Sequence, residues 1–276
     1  MYIDTKTRII SSIANPGADL TGVLYNEIIR AVNTNAIYLP TTCVNVGTGM
    51  AGVKALGFSG VSVSMPHKQE IMKHLDFIDN IANEIGAVNT VVKSGEKWGG
   101  FNTDWYGAVE ALKEHTTIGG KRVVMFGAGG AARAIAYGIT RNGGELYIHN
   151  RSQAKGEALA KEFGSQYVNS KELADGNEFD IVINATSIGF MGNNEDDNFI
   201  PRDLLHEGQV VLDIVFSPIE TKLIQESLSR KAIVVPGYKM LIHQAILQFN
   251  LWLSVEMSDY SPVENALVRF IEERGL

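Results

Sequence analysis

The segment that most constrains the fold of this chain is a glycine-rich turn between an apolar strand and a helical stretch. The strand candidate is 121–126, KRVVMF, and GAGGAA follows it at once. Gly127, Gly129 and Ala132 fit a GxGxxA form of the dinucleotide fingerprint, in which a tight turn brings a pyrophosphate to the N-terminus of a helix. The alternative is a plain glycine turn. The strand–turn–helix context favours cofactor binding by the backbone of Gly127, Ala128, Gly129, Gly130 and Ala131.

The end of the next predicted strand, 145–149, indicates which dinucleotide is bound. An NAD site usually has an acidic residue there, which accepts hydrogen bonds from the ribose, but this chain has HNRS at 149–152. The guanidinium of Arg151 suits a phosphate, and Ser152 can both cap the following helix and bond the phosphate. The alternative is that Arg151 and Lys155 are solvated charges at a helix start. The pattern favours NADP over NAD, bound by Asn150, Arg151, Ser152 and Lys155.

Short apolar strands alternate with helical stretches along most of the chain. Such alternation predicts an α/β fold with a parallel sheet covered on both faces. The first predicted group is strand 8–14, helix 23–33, strands 36–39, 60–63 and 86–93, and helix 103–114. The second is strand 121–126, a helix to 142, strand 145–149, helix 153–163, and strands 180–184 and 210–214.

Composition excludes several functional classes. The chain has 276 residues, which predicts one large domain or two modest ones. A net charge of −7 argues against a nucleic-acid surface. Cys43 is the only cysteine, so no internal disulfide forms and a reducing cytoplasm is expected. No signal-type leader, long apolar run, HExxH, CxxC or GxSxG motif occurs, so we expect no membrane span, no metal and no serine nucleophile.

Motifs in a fixed order over about residues 60–245 resemble the shikimate dehydrogenase family, with its quinate dehydrogenase and shikimate-dehydrogenase-like branches. The motifs that carry the resemblance are VSMPHK at 63–68, GAVNT at 86–90, NTD at 102–104, GAGGA at 127–131, NRS at 150–152, NAT at 184–186, and Gly189, Asp213, Pro218, Thr221, Gly237, Met240, Leu241 and Gln244.

The resemblance implies a two-domain α/β enzyme. Residues 1–105, completed by 238–276, would form the substrate-binding domain, and 106–237 a Rossmann-type NADP-binding domain, with the C-terminal helices returning to the first domain. The implied activity is an NADP-dependent oxidoreductase of aromatic amino acid biosynthesis that interconverts a cyclic polyhydroxy acid and its keto form. The expected partner is this small molecule, and the expected state is a cytoplasmic monomer or homodimer.

The resemblance also implies roles for single residues. Lys68 matches the catalytic lysine and Asp104 the aspartate beside it, which together handle the proton. Whether Lys68 or a lysine–aspartate–water chain is the formal base stays open, and the alternative is a surface lysine with a helix-capping aspartate. Asn89 and Gln244 match positions that bond the substrate hydroxyls. The other implied contacts are Thr21 and Ser64 for the substrate, and Thr186 and Gly237 for the cofactor.

The sequence departs from the family pattern near its N-terminus. The family commonly has Ser-x-Ser-Pro followed by His-Asn, and alignment on Asn26 puts Asp19 and Thr21 at the two serine positions. An aspartate facing a substrate carboxylate would repel it. The alternative is a rebuilt loop in which Asp19 faces water.

Three more positions differ from the pattern. Ser62 and Ser64 stand where Asn and Thr are usual, and Phe216 replaces a usual Tyr. The natural substrate therefore stays open among shikimate, quinate, an aminoshikimate and another cyclic polyol. A non-catalytic NADP- or metabolite-binding protein on the same scaffold is a further alternative, but such a protein would not need Lys68 and Asp104. A Rossmann dehydrogenase of unrelated substrate class fits poorly with the 102–104 and 237–244 segments.

Overall fold

The chain forms two compact units. The computed structural model describes residues 3–17, 19–174, 178–190, 200–257 and 259–274. Unit 1 comprises Met1–Thr103 and Gln244–Glu273, and unit 2 is chiefly Asp104–His243. Unit 1 is therefore discontinuous in sequence, and the chain of unit 2 is inserted into it.

Unit 1 contains a mixed six-stranded sheet. Its elements are β1 (Arg8–Ile13), α1 (Asp19–Ala31), β2 (Ala36–Leu39), α2 (Val46–Ala55), β3 (Gly60–Val63), a 3-10 helix (Glu70–His74), β4 (Phe77–Ile78), α3 (Asn80–Ile85), β5 (Thr90–Ser94) and β6 (Lys97–Phe101). The strand order is β2-β1-β3-β5-β6-β4. β1 is parallel to β2 and β3, whereas β5 is antiparallel to β3 and β6.

Unit 2 contains a parallel six-stranded sheet. Its elements are α4 (Asp104–Lys113), β7 (Arg122–Phe126), α5 (Gly130–Arg141), β8 (Glu145–His149), α6 (Gln153–Glu162), β9 (Gln166–Tyr167), α7 (Ser170–Ala174), β10 (Ile181–Asn184), a 3-10 helix (Arg202–Leu204), β11 (Val210–Asp213), α8 (Lys222–Ser229) and β12 (Ile233–Pro236). The order β12-β11-β10-β7-β8-β9 is that of a doubly wound nucleotide-binding sheet, as the sequence predicted.

The central strand β7 shows why the second half of the chain reads as continuous apolar runs. Val123 and Met125 belong to one buried cluster, and Val124 and Phe126 belong to another. Because successive side chains of a strand point to opposite faces, β7 is covered by apolar groups on both sides.

The C-terminal helices are α9 (Gly237–Leu253) and α10 (Ser261–Arg274). Residues 244–253 of α9 belong to unit 1, where Phe249 and Trp252 pack on Tyr25 with ring centroids 5.7 Å apart in each case. Trp252 leaves no room for a side chain at Gly60, since a Cβ there would lie 2.2 Å from the indole. The return of the C-terminal helices to the first domain is thereby confirmed.

Several local elements differ from the sequence predictions. The helix expected at 23–33 begins at Asp19, whose carboxylate in the first turn favours the earlier start. The strand expected from Gly86 begins at Thr90, because Gly86 ends α3 with φ +69°. Helices α2 and α8 and strands β6 and β12 were not predicted. No helix in the described part of the chain is long and apolar enough to span a membrane.

Candidate active site

The glycine-rich turn of unit 2 requires glycine at its first position. Gly127 has φ +119°, a left-handed conformation that side chains disfavour. A Cβ at Gly127 would lie 2.8 Å from the carbonyl oxygen of Ala185, in the loop after β10. The Gly127 N–H donates to the His149 carbonyl at 2.9 Å, which fixes the turn against the end of β8.

The start of α5 has room for an anion. Gly129 is the N-cap residue, and no side chain in the described residues caps this helix. A Cβ at Gly129 would meet nothing within 4 Å, so the space beside the turn is open. Backbone N–H groups at a helix start attract phosphates, and the turn Gly127–Ala131 therefore fits a dinucleotide pyrophosphate. Ala132 is fully buried in the core, as helix–sheet contact requires.

The segment after β8 carries two exposed cations. The side chains of Arg151 and Lys155 are exposed and make no hydrogen bond or ion pair with other described residues. Asn150 donates from Nδ2 to the Ser152 carbonyl at 2.9 Å. Ser152 is the N-cap residue of α6, but its hydroxyl makes no capping bond, so the prediction that this side chain caps the helix is wrong. That hydroxyl is left for other partners.

A hydrogen-bond network joins the loops after β10 and β11. Asn184 Oδ1 accepts from the Thr186 N–H at 3.0 Å and hydroxyl at 2.7 Å, and Asn184 Nδ2 donates to Asp213 at 2.9 Å. Asp213 also accepts from the Thr221 hydroxyl at 2.6 Å and the Val215 N–H at 3.0 Å. Burial raises the pKa of Asp213 to about 6, although these donors act in the opposite direction. The network shapes the loop that contains Thr186.

Two further positions that the sequence analysis singled out, Phe216 and Gly237, lie near the loop that follows β11. A Cβ at Gly237 would lie 2.5 Å from the Val215 carbonyl oxygen, so only glycine allows α9 to start against this loop. Phe216 is partly buried and packs edge-to-face on Phe190, with ring centroids 6.0 Å apart.

In unit 1, two backbone hydrogen bonds join the segment that contains Lys68 to the segment that contains Asn89. The Val88 N–H donates to the Lys68 carbonyl at 2.8 Å, and the Val63 N–H donates to the Asn89 carbonyl at 2.7 Å. The Lys68 side chain is half-buried. The preceding His67 is buried and donates from Nε2 to the Cys43 carbonyl at 2.7 Å, a structural role of the kind the sequence favoured.

The Asn89 side chain is buried and held by its neighbours. Its Oδ1 accepts from the Thr103 N–H at 2.8 Å and from the Thr90 hydroxyl at 2.7 Å. Its Nδ2 donates to the Thr103 hydroxyl at 2.9 Å. Asp104, the first residue of α4, follows Thr103 directly and is 1% exposed.

Two glutamines one turn apart on α9 differ sharply in their partners. Gln244 Oε1 is buried and has no hydrogen-bond partner among the described residues. Gln248 is 1% exposed; it donates from Nε2 to the Asn89 carbonyl at 3.1 Å and to the Thr90 hydroxyl at 2.8 Å, and the Tyr25 hydroxyl donates to its Oε1. An unsatisfied buried acceptor is costly, so Gln244 is the glutamine suited to a ligand hydroxyl.

The segment expected to hold a carboxylate forms the start of α1. Asp19 is exposed, and Thr21 lies in the first turn close to the buried hydroxyl of Tyr38. Ser62 Oγ lies 2.6 Å from that same hydroxyl. Burial raises the pKa of Tyr38, which keeps its phenol neutral. Ser64 is exposed just beyond β3. Hydroxyl groups therefore cluster at the carboxyl ends of β1, β2 and β3, where ligands bind in sheets of this kind.

Sequence reasoning missed Tyr25 and Gln248, and it gave no role to Thr90 and Thr103 although both lie in the motifs quoted above. The spacing of Gln244, Gln248 and Trp252 on one helix face was the available signal.

His243 and Lys239 both contact Glu114, at 2.7 and 3.2 Å, and this ion pairing holds the pKa of Glu114 below its usual value despite its partial burial. No His, Cys, Asp and Glu cluster suited to a metal occurs among the residues described.

Unit 2 has a doubly wound sheet with a glycine-rich turn at the start of α5, and unit 1 contains Lys68 and a set of hydrogen-bonding side chains. These features define a dinucleotide-binding α/β protein of the dehydrogenase class. Residues 17–91 match the shikimate dehydrogenase substrate binding domain, and residues 109–222 match the shikimate/quinate 5-dehydrogenase family. The chain belongs to this family of shikimate and quinate dehydrogenases.

Individual relatives agree over nearly the whole length. The NADP(+) shikimate dehydrogenase of Syntrophobacter fumaroxidans is 35% identical, covering 99% of this chain and 96% of the relative. A shikimate dehydrogenase crystallised with NADP+ is 35% identical, covers 98% of each chain and superposes with a TM-score of 0.90. A 5-ketofructose reductase of Gluconobacter is 29% identical, covers 97% of this chain and all of the other, and has a TM-score of 0.83.

Proposed function

We propose that this protein is an NADP-dependent dehydrogenase that interconverts a cyclic polyhydroxy acid of the shikimate type and its keto form. The observation that carries the proposal is the pairing of Lys68 with Asn89 through the backbone of the 63–68 and 88–89 segments. These bonds tie together the segments that carry Lys68 and Asn89, which supports the proposal that the two side chains act on one substrate. An amide both donates to and accepts from hydroxyl groups.

Oxidation of a secondary alcohol removes a hydride and a proton. NADP, when bound, supplies the hydride acceptor. In the reductive direction the Lys68 ammonium donates a proton to the carbonyl oxygen, and in the oxidative direction the lysine takes the alcohol proton. We assign Asp104 the task of orienting the lysine. Asn89 and Gln244 bond the ring hydroxyls, and the buried Gln244 oxygen gains the donor that it lacks. Thr21 and Ser64 supply hydroxyls toward the acid group.

The cofactor is held chiefly by the backbone of unit 2. The turn Gly127–Ala131 takes the pyrophosphate, and Arg151 with Lys155 takes the 2′-phosphate. Asn150 and the uncapped Ser152 hydroxyl complete this phosphate contact. We assign Thr186 a contact with the rest of the dinucleotide, because its methyl carbon lies 3.1 Å from where a Gly127 Cβ would be. The cofactor contact of Gly237 rests on the family resemblance.

A second candidate is a dehydrogenase of a related polyol, such as quinate or an aminoshikimate. The altered segment around Asp19 and Thr21 favours it, and so does Phe216, which has no hydroxyl to offer a carboxylate. A 5-ketofructose reductase has a similar fold, so this scaffold is compatible with more than one polyol substrate. We further propose a cytoplasmic location, where the single thiol of Cys43 stays reduced. Assembly as a monomer or homodimer stays a prediction.

The test is a substrate panel with the purified protein. Shikimate, quinate and an aminoshikimate are each assayed with NADP and with NAD, and nicotinamide reduction is followed by absorbance. Turnover of shikimate with NADP supports the first candidate, and preferential turnover of another member supports the second. Tight NADP binding in calorimetry with no turnover of any member would contradict both and favour a metabolite-binding protein.

A further inference from the structure

Gln248 lies outside every motif of the family resemblance, yet it is buried against a proposed substrate-binding residue. We propose that Gln248 is a positioning residue that fixes which way round the Asn89 amide is held. The inference rests on the proposed function, because Asn89 matters only where a substrate hydroxyl meets it.

Hydrogen-bond chemistry fixes the orientation of Gln248. The Asn89 backbone carbonyl can only accept, so the Gln248 atom that lies 3.1 Å from it is the amide nitrogen. Its other amide atom is then the oxygen, and the Tyr25 hydroxyl donates to it. In this orientation the Gln248 nitrogen meets an acceptor and its oxygen meets a donor.

The same reasoning continues from Gln248 to Asn89. Gln248 Nε2 donates to the Thr90 hydroxyl at 2.8 Å, so that hydroxyl uses its own proton toward the Asn89 side chain, 2.7 Å away. The Thr103 N–H donates to the same Asn89 atom at 2.8 Å. Two donors on one atom require it to be Oδ1.

The Asn89 NH2 group therefore lies on the other side, where it bonds the Thr103 hydroxyl. An NH2 group donates, so the relay gives Asn89 donor character toward a substrate oxygen. A flipped amide would instead present an acceptor. Burial of the relay adds to its effect, because Gln248 and Thr90 are at most 1% exposed and water does not compete for their bonds.

Gln248→Met tests the relay, because Met keeps the length of the side chain and removes both polar atoms. We expect KM for the preferred cyclic substrate to rise on the order of tenfold, with kcat changed less than about threefold, since binding rather than chemistry is affected. Tyr25→Phe, which keeps the Nε2 donations, should have a smaller effect of the same kind. The matched control is Asn250→Met, an exposed amide on the same helix.

A double-mutant cycle separates positioning from general packing. In an Asn89→Ala background, Gln248→Met should change kcat/KM by less than about twofold, because its effect passes through Asn89. An equal effect in both backgrounds would show a merely structural role and overturn the inference. No effect in either background would overturn it as well.

An NMR measurement distinguishes this inference from the proposed function. The Asn89 side-chain amide signal, assigned by its loss in Asn89→Ala, should shift in Gln248→Met and stay in place in Asn250→Met, with or without substrate. An unmoved signal overturns the relay even if the enzyme turns over shikimate. A moved signal in a protein that turns over no member of the panel supports the relay and contradicts the proposed function.

Discussion

The two units build their candidate sites from different materials. In unit 2 the site is mostly backbone, with glycines at Gly127 and Gly129 that bring N–H groups to an open space within a few consecutive residues. In unit 1 the site is made of side chains from distant segments, such as Lys68, Asn89 and Gln244. A backbone site of this kind tolerates changes of side chain as long as its glycines remain, whereas a side-chain site can change specificity one residue at a time.

The largest expected effect tests whether unit 1 carries the proton chemistry. Lys68→Met should lower kcat by roughly 10²–10⁴-fold, the range for loss of a positioned acid or base. NADP affinity measured by calorimetry should change little, because all of the proposed cofactor contacts lie in unit 2. Lys97→Met, an exposed lysine of the same unit, is the control. Wild-type turnover in Lys68→Met would break the assignment of chemistry to unit 1.

The next prediction concerns the stability of unit 2 and its dependence on one buried side chain, Asp213. Folding raises the pKa of Asp213 from 3.8 to about 6. Its contribution to the free energy of unfolding is therefore fully present below pH 3.8 and is lost as the pH rises through 6. Asp213→Asn removes this titration, so the stability of wild type relative to the variant should fall by up to ~3 kcal/mol between pH 4 and pH 7.

Urea unfolding of both proteins across that pH range measures the difference. Asp203→Asn is the control, since the side chain of Asp203 is fully exposed. A wild-type-minus-Asp213→Asn difference that stays flat with pH would mean that folding does not raise the pKa of Asp213. The contrast between a backbone-built and a side-chain-built site would then be stronger than we describe.

A smaller effect is expected at the cofactor phosphate. Arg151→Ala should weaken NADP binding by at least about tenfold, ~1.4 kcal/mol, and leave NAD binding nearly unchanged. Lys161→Ala, in the last turn of α6, should alter neither affinity. Calorimetry with both cofactors measures the two affinities. Equal binding of NADP and NAD by the wild type would show that unit 2 does not distinguish the two cofactors and that Arg151 does not contact the 2′-phosphate.

The smallest effect is expected at Asp19. Its exposed carboxylate at the start of α1 favours the arrangement in which it faces water, so Asp19→Ser should change kcat/KM for shikimate by less than about twofold. Loss of a charge at a helix start should lower the unfolding free energy by about 0.3–1 kcal/mol. A ten- to a hundredfold gain that fades with added salt would instead show that Asp19 repels the substrate carboxylate.

The fold of unit 2 could be predicted because its signals are local. Strand β7, the glycine turn and α5 occupy 20 consecutive positions, and each shows its own pattern in the sequence. Strand β6 was missed because Gly99 and Gly100 lower the strand propensity of this segment. Glycine is needed at these two positions because the side chains of Phe77 and Leu75 occupy the space that a Cβ would take. Local composition cannot show that packing.

The candidate site divides in the same way. The glycine-rich turn Gly127–Ala131 is visible as a sequence motif, and the motif itself indicates that backbone N–H groups bind the pyrophosphate. The Tyr25–Gln248 contact joins residues 223 positions apart, so no window of sequence contains it. The resemblance to a family located Asn89 and Gln244, but the partners that hold Asn89 required coordinates.

The insertion of unit 2 into unit 1 has a consequence for synthesis of the chain. Residues 104–243 leave the ribosome as an uninterrupted block, so the nucleotide-binding sheet can form while translation continues. Tyr25 is made early, but its ring gains its contacts with Phe249 and Trp252 only after those residues have been made. During that interval the N-terminal segment lacks the C-terminal aromatic residues that pack on Tyr25 in the folded protein, so this apolar surface is available to chaperones.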